Sequence, residues 1–275
     1  MGVVYIIIIL FATLIGAICG MGGGVIIKPL LDAVSPFTTF QISVISGSCV
    51  LAMSVSSLIK HYFAKTKVNV KIAICLSLGS IGGGFLGDFL FGLVNDAVGT
   101  QGQPMIKIVQ NSVLLVMLIL VLAYMLFIKP KGIHYNFKNP ILVTVVGVIL
   151  GALSVFLDIG GGPINVCVFV LLFGMDLKMS SVSSLITIFF AQITKFVKYG
   201  ISNSFATNVL FDNNLAIWVV VLLIVFAVIG GLLGAIINKK FSEKFVNIIY
   251  CSALGFVIIL SIVNIAANAL AIAQV

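Results

Sequence analysis

Arginine is absent from this chain, glutamate occurs once, and only 8% of the 275 residues are charged. A water-soluble domain carries about 25% charged residues, so a soluble surface is excluded. Histidine occurs only at His61 and His134, both in basic polar breaks, and no G-x-S-x-G elbow is present. A hydroxyl or thiol nucleophile needs a base within hydrogen-bond reach. An intramembrane hydrolase is therefore unsupported, and the chain is not expected to be an enzyme. No nucleotide fingerprint or ATPase motif occurs either, which argues against primary pumping. The five cysteines (Cys19, Cys49, Cys75, Cys167, Cys251) show no paired spacing and sit in or beside apolar runs. They read as packing residues, so no disulfide framework, metal site or cofactor is expected.

What the chain has in abundance is apolar surface: 61% of its residues are hydrophobic, with a mean hydropathy of +1.32. A helix needs roughly 20 apolar residues to cross a bilayer. Eight such spans fit, at about Val3–Cys19, Phe40–Ile59, Ile72–Val94, Met105–Ile128, Ile141–Leu157, Val182–Phe196, Ala216–Ile237 and Phe245–Leu270. Two shorter apolar pieces, Val25–Leu31 and Ile164–Phe173, are left over. The first run has no lysine before it and no small-residue cleavage site after it, so it is expected to be a retained helix rather than a signal. The fold class expected is an all-α polytopic membrane protein of about eight transmembrane helices.

The formal charge of +8 comes from lysine alone. In a membrane chain it bears on topology, and no nucleic-acid partner is implied. Lys60, Lys65, Lys67 and Lys71 flank one break, Lys129, Lys131 and Lys138 occupy the central one, and Lys195 and Lys198 close the sixth span. With eight spans these breaks share one side, which the positive-inside rule makes cytoplasmic along with both termini. Lys239, Lys240 and Lys244 then fall on the wrong side, unless a short apolar piece changes the parity.

The chain also matches itself. At an offset of 138 positions Gly22-Gly23-Gly24 lands on Gly160-Gly161-Gly162, Ser43 on Ser181, Ser46 on Ser184 and Lys60 on Lys198. Gly83–Gly87 resembles Gly230–Gly234 at a slightly different offset. A duplication is expected: residues 1–128 and 141–275 as two transmembrane repeats, joined by a basic cytoplasmic linker, 129–140. The halves are parallel with four spans each, and inverted if the short piece crosses.

Three successive glycines break a helix. Such a break survives in a membrane only inside protein or beside a polar cavity. Paired breaks in two repeats mark the substrate site of many transporters, and the half-helix that follows offers free N–H groups to an anion. Gly22, Gly23, Gly24, Gly160, Gly161 and Gly162 are therefore candidate substrate-binding residues. Gly79, Gly83 and Gly87, spaced by four, suit a tight helix crossing instead. The span after each triplet is rich in hydroxyls: Ser43, Ser46, Ser54 and Ser57 in the first half, Ser181, Ser184 and Thr187, with Lys195, in the second. Ser43, Ser46, Ser181 and Ser184 are candidates for the site, with interhelical glue as the alternative. Ionisable residues within spans are functional suspects. Lys28 either attracts the anion or snorkels, Asp158 is a half-helix cap or a proton relay, and Asp88 is an interfacial end residue or a second coupling candidate.

Gly20-Met21-Gly22-Gly23-Gly24 followed by Pro29-Leu30 resembles the G-x-G-G-G-x-x-x-x-P-x-L signature of the TauE/SafE sulfite exporter family, and Asp158-Ile159-Gly160-Gly161-Gly162 repeats its core. The likeness spans essentially the whole chain. It implies a multi-pass protein of the cell membrane, of the prokaryotic inner-membrane kind, that moves sulfite, sulfonates or related sulfur-containing anions with an ion gradient. Two departures stand out: Asp158 replaces the leading glycine of the second signature, and Cys167 the downstream proline. The function expected is secondary export of such an anion by alternating access. Proton- or sodium-coupled uptake of thiosulfate, an organosulfonate or another small anion is the alternative, and a passive anion channel a third reading. The partners expected are the anion, the lipid bilayer and the coupling ion, with a homodimer as the oligomer considered.

Overall fold

The computed structural model describes residues 2–66, 68–98, 103–137, 139–201 and 217–273. Lys67, Lys138 and Ala216, at the edge of an expected span, lie outside these. The described residues form helices and connections with no strand. The first five helices are α1 (Gly2–Cys19), α2 (Gly24–Val34), α3 (Thr39–Phe63), α4 (Val70–Val98) and α5 (Gln103–Ala123). Then follow α6 (Pro140–Leu157), α7 (Gly162–Phe173), α8 (Leu177–Ile201), α9 (Ile217–Lys240) and α10 (Glu243–Ala273). Among the described residues seven helices are long and apolar enough to cross a membrane, and Val3–Cys19 is a shorter apolar helix. The two leftover apolar pieces are α2 and α7, of 11 and 12 residues.

Local chemistry places the ends. Thr38 and Gln41 form a reciprocal capping box at the start of α3, satisfying two of the orphan donors of its first turn. Asn139 accepts from the Ile141 amide at 3.0 Å before Pro140 opens α6, and the Asp176 carboxylate accepts from the Met179 amide at 2.7 Å where α8 begins.

Contacts between helix ends fix the direction of each element. Lys239 Nζ donates to the Ala64 carbonyl at 2.9 Å, setting the end of α9 beside the end of α3. Lys129 pairs with Glu243 at 3.1 Å, the end of α5 beside the start of α10. At the other end of the bundle Lys107 near the start of α5 meets Asp32 near the end of α2 at 3.3 Å. Ser43 near the start of α3 meets Tyr199 near the end of α8 at 2.9 Å. Thus α3 and α8 run antiparallel, as do α5 and α10. With α2 and α7 counted, each run of five elements is odd, so the second run is entered from the opposite end and is inverted.

This corrects the lysine placement. The α3–α4, α5–α6 and α9–α10 connections lie together at one end, so Lys239, Lys240 and Lys244 join Lys60, Lys65, Lys71, Lys129 and Lys131. Lys195 and Lys198 lie at the other end, with the start of α1 and the end of α10. Counting eight full spans and ignoring the half-helices put the termini on the lysine-rich side; the half-helices shift the parity.

The two runs interlock. α4 packs along α6, where a Cβ on Gly79, Gly83 or Gly87 would strike the Thr144, Val148 or Ala152 carbonyl, respectively. α9 packs along α1 in the same manner, with Gly230 against Thr13 and Gly234 against Leu14 and Ala17. These are close-approach glycines, as their spacing suggested.

Candidate functional site

Both glycine breaks lie at the centre of the fold and touch each other. Each turns through left-handed backbone: φ is +73°, +77° and +62° at Gly20, Gly22 and Gly23, and +55°, +75° and +72° at Asp158, Gly160 and Gly161. Glycine enters this region without Cβ cost. A Cβ on Gly162 would collide with the Met21 backbone, and one on Gly24 would meet the Ile159 carbonyl at 3.0 Å.

The breaks differ in what covers them. Over the first, Ser181 Oγ donates to the Cys19 carbonyl at 2.9 Å and Ser184 Oγ to the Gly20 carbonyl at 2.7 Å. Asn238 Nδ2 adds a bond to the Ile18 carbonyl at 2.6 Å, and the Ser181 backbone fills the space beside Gly20. The first break is sealed by protein. Over the second lies a cavity of about 290 Å³, bounded by the early part of α3, the later part of α4, the start of α5, the α6–α7 break and the end of α8.

Four lysines line this cavity, Lys28, Lys107, Lys195 and Lys198, with two carboxylates, Asp88 and Asp158. Asp158 Oδ1 lies 2.8 Å from Lys195 Nζ, and its Oδ2 lies 3.3 Å from Lys28 Nζ. Lys28 also donates to the Leu157 carbonyl at 3.2 Å, and Lys195 to the Ser43 carbonyl at 3.0 Å. Asp88 pairs with Lys198. Phe40, Phe85, Phe91 and Tyr199 supply apolar and aromatic wall. Lys28 is only 7% exposed, so its ammonium is held by partners within the fold rather than reaching for water.

Of the residues singled out in the sequence, Lys28, Ser43, Gly160, Asp88 and Asp158 come together around the cavity. Gly22, Gly23, Gly24, Gly161, Gly162, Ser46, Ser181 and Ser184 do not line it. Gly22 faces Ile188, Gly23 faces Ala12, and a Cβ on Gly161 would strike Ser154. Ser46 is buried beside Gly24. One smaller expectation is corrected. Asp158 caps no half-helix: it is the left-handed residue ending α6, while Gly161 precedes α7. Asp88 lies in the last part of the apolar span Val70–Leu93 and lines the cavity.

Lys107, Lys198, Gln110, Gln192 and Tyr199 also line the cavity and were not singled out as site residues. A signal existed for Lys107, which falls within the expected span Met105–Ile128 and so is costly unless it is used or paired. None existed for Tyr199, which reaches the site only because α8 runs antiparallel to α3.

Membrane-length helices enclosing a lysine-lined cavity beside a helix break define a polytopic membrane protein with a charged internal cavity. A family model described as Sulfite exporter TauE/SafE matches residues 5–262, and the chain belongs to that family of membrane transporters. It is also similar to the "Probable membrane transporter protein YunE" of Bacillus subtilis (strain 168), 25% identical over 268 residues, 88% of this chain and 90% of that protein. No solved structure shows a significant match.

Proposed function

We propose that this transporter is a secondary carrier for small sulfur-containing anions, exporting a sulfonate or sulfite by alternating access. The observation that carries the reading is the convergence of Lys28 and Lys195, from opposite halves, on one point beside the second glycine break. Ammonium groups removed from bulk water bind anions far more strongly than surface lysines do. The cavity volume of about 290 Å³ sits at the lower end of the ~300–1,000 Å³ range of small-molecule sites. Its aromatic wall favours an anion with a short organic body over a bare oxyanion.

Residues 1–128 and 141–275 are read as copies of one unit, related by the inversion of their helix directions. Inverted repeats allow one unit to adopt the conformation of the other, which moves an open cavity from one face to the other. Support comes from the positions that correspond to the cavity residues Lys195 and Tyr199 across the 138-residue offset, Ser57 and His61. Both are buried, and Ser57 Oγ and His61 Nε2 have no hydrogen-bond partner among the described residues. Unpaired buried polar atoms are costly, and these lie where a matching cavity would open on the lysine-rich side. The seal over the first break meanwhile favours a carrier over an open channel.

A negative interior favours anion export by about 2.3 kcal/mol per charge per 100 mV. Purified protein in proteoliposomes, preloaded with labelled sulfite or a labelled alkanesulfonate, is the test. Saturable, potential-driven efflux with counterflow supports the carrier. Flux linear in concentration contradicts it, and flux requiring a proton or sodium gradient moves the assignment to coupled uptake.

A further inference from the structure

Among the described residues the charges of the cavity fall into ion pairs and one larger group. Asp88 pairs with Lys198 and Asp32 with Lys107. That leaves Lys28, Lys195 and Asp158, two positive charges against one negative, with the Asp158 carboxylate divided between the two ammonium groups at 3.3 and 2.8 Å. These three side chains are 9%, 15% and 20% exposed, respectively. A net charge held away from bulk water is costly unless it is neutralised. Among the described residues the group therefore stands one negative charge short of balance.

Asp158 is also the residue that distinguishes the open break from the sealed one. Its counterpart across the 138-residue offset is Gly20, and where Gly20 meets the Ser181 backbone, Asp158 holds a carboxylate toward the cavity. Its φ of +55° lies in the left-handed region, which glycine enters freely and asparagine and aspartate enter more readily than other residues.

Resting on the anion-carrier reading above, we propose that Asp158 is a tethered counter-anion that sets the charge of the substrate taken. A monoanion completes the balance with Asp158 ionised. A dianion completes it only when Asp158 takes a proton from solvent and yields its place between Lys28 and Lys195. The proton travels on the carboxyl oxygen and is released as Asp158 returns to the lysines after the dianion departs. One proton accompanies each dianion and none accompanies a monoanion. The titratable groups that line the cavity with Asp158 are Lys28 on α2, Asp88 on α4, Lys107 on α5, and Lys195, Lys198 and Tyr199 on α8. Lys28 and Lys195 form ion pairs with Asp158.

The test is equilibrium binding to the full-length protein in detergent, using ethanesulfonate as monoanion and ethane-1,2-disulfonate as dianion. Neither probe changes charge across the pH range used. In the wild type, disulfonate binding tightens by up to about tenfold per unit fall in pH between about 7.5 and 5.5, one linked proton, while ethanesulfonate binding stays flat. Asp158→Asn, a neutral isostere at home in the left-handed region, removes the slope and binds disulfonate more tightly at the higher pH. Asp158→Gly, which restores the residue of the first half, removes the slope as well, so a folding defect in one variant does not decide the matter. Equal pH slopes for both probes, or a disulfonate slope that survives both substitutions, overturns the counter-anion role and leaves anion carriage standing. Binding of neither probe to any of the three proteins overturns both.

Discussion

Ser184 Oγ donates to the Gly20 carbonyl at 2.7 Å, tying the α8 helix of the second half to the helix break of the first. The bond explains why a hydroxyl at a repeated position is absent from the cavity: it satisfies a carbonyl that the break left without a helical partner. Ser43, Ser181 at the matching position 138 residues on, and Ser184 thus divide the labour, one at the cavity and two at the seal.

Ser184→Ala removes the bond to Gly20 and is expected to destabilise the protein by about 0.6–2 kcal/mol. The midpoint of thermal unfolding in detergent falls, while the substrate concentration for half-maximal flux is unchanged. Ser43→Ala should show the converse, with weaker substrate affinity and little change in melting.

Gly83→Leu forces a side chain onto the Val148 carbonyl at the α4–α6 crossing and abolishes the folded monodisperse protein. Gly82→Ala, one residue away and facing open space, is silent in size-exclusion profile and in flux. Equal effects of the two would contradict the close-approach reading of α4.

Ser57→Cys, placed in a background where the native cysteines are replaced, reports on the closed path. Ser57 is buried and lies on α3 toward the lysine-rich end. A membrane-impermeant thiol reagent should label it only from the lysine-rich face, and faster during transport than at rest. Labelling from the opposite face, or at a rate indifferent to substrate, contradicts alternating access along this path.

Topology offers a simpler check. The positive-inside rule predicts the lysine-rich connections on the cytoplasmic side, with the start of α1 and the end of α10 on the outer face. A C-terminal alkaline phosphatase fusion is expected to be active and a C-terminal green fluorescent protein fusion dark. The reverse pattern would invert the orientation of the cavity.

Much of the fold was legible in the sequence because hydrocarbon imposes one rule, that backbone polar groups be satisfied within the span. The apolar runs and glycine triplets therefore map onto α1 to α10 and the breaks between them with small shifts. Helix direction was not legible, because α2 and α7 are too short to register as spans and yet reverse the chain. That single parity decided which lysines meet. Lys195 and Lys198 looked like a basic loop beside Lys60 and Lys129, and instead they fold against Asp158 and Asp88 at the opposite end. The hydroxyl rows stood out at matching positions of the sequence, but pairing with Cys19 and Gly20 depends on how two distant helices cross. No local pattern encodes that crossing.

The measurement closest to the central claim is the transport current of proteoliposomes on a solid support after a jump in alkanesulfonate concentration. Wild-type protein is compared with Lys28→Gln and Lys195→Gln, each verified as folded by its melting curve. Anion carriage through this cavity predicts a saturable current in the wild type, and a rise of at least about tenfold in the half-saturating concentration in each variant, equivalent to about 1.4 kcal/mol. Unchanged half-saturation in both folded variants would contradict it, and would place the anion path away from the lysines that meet at Asp158.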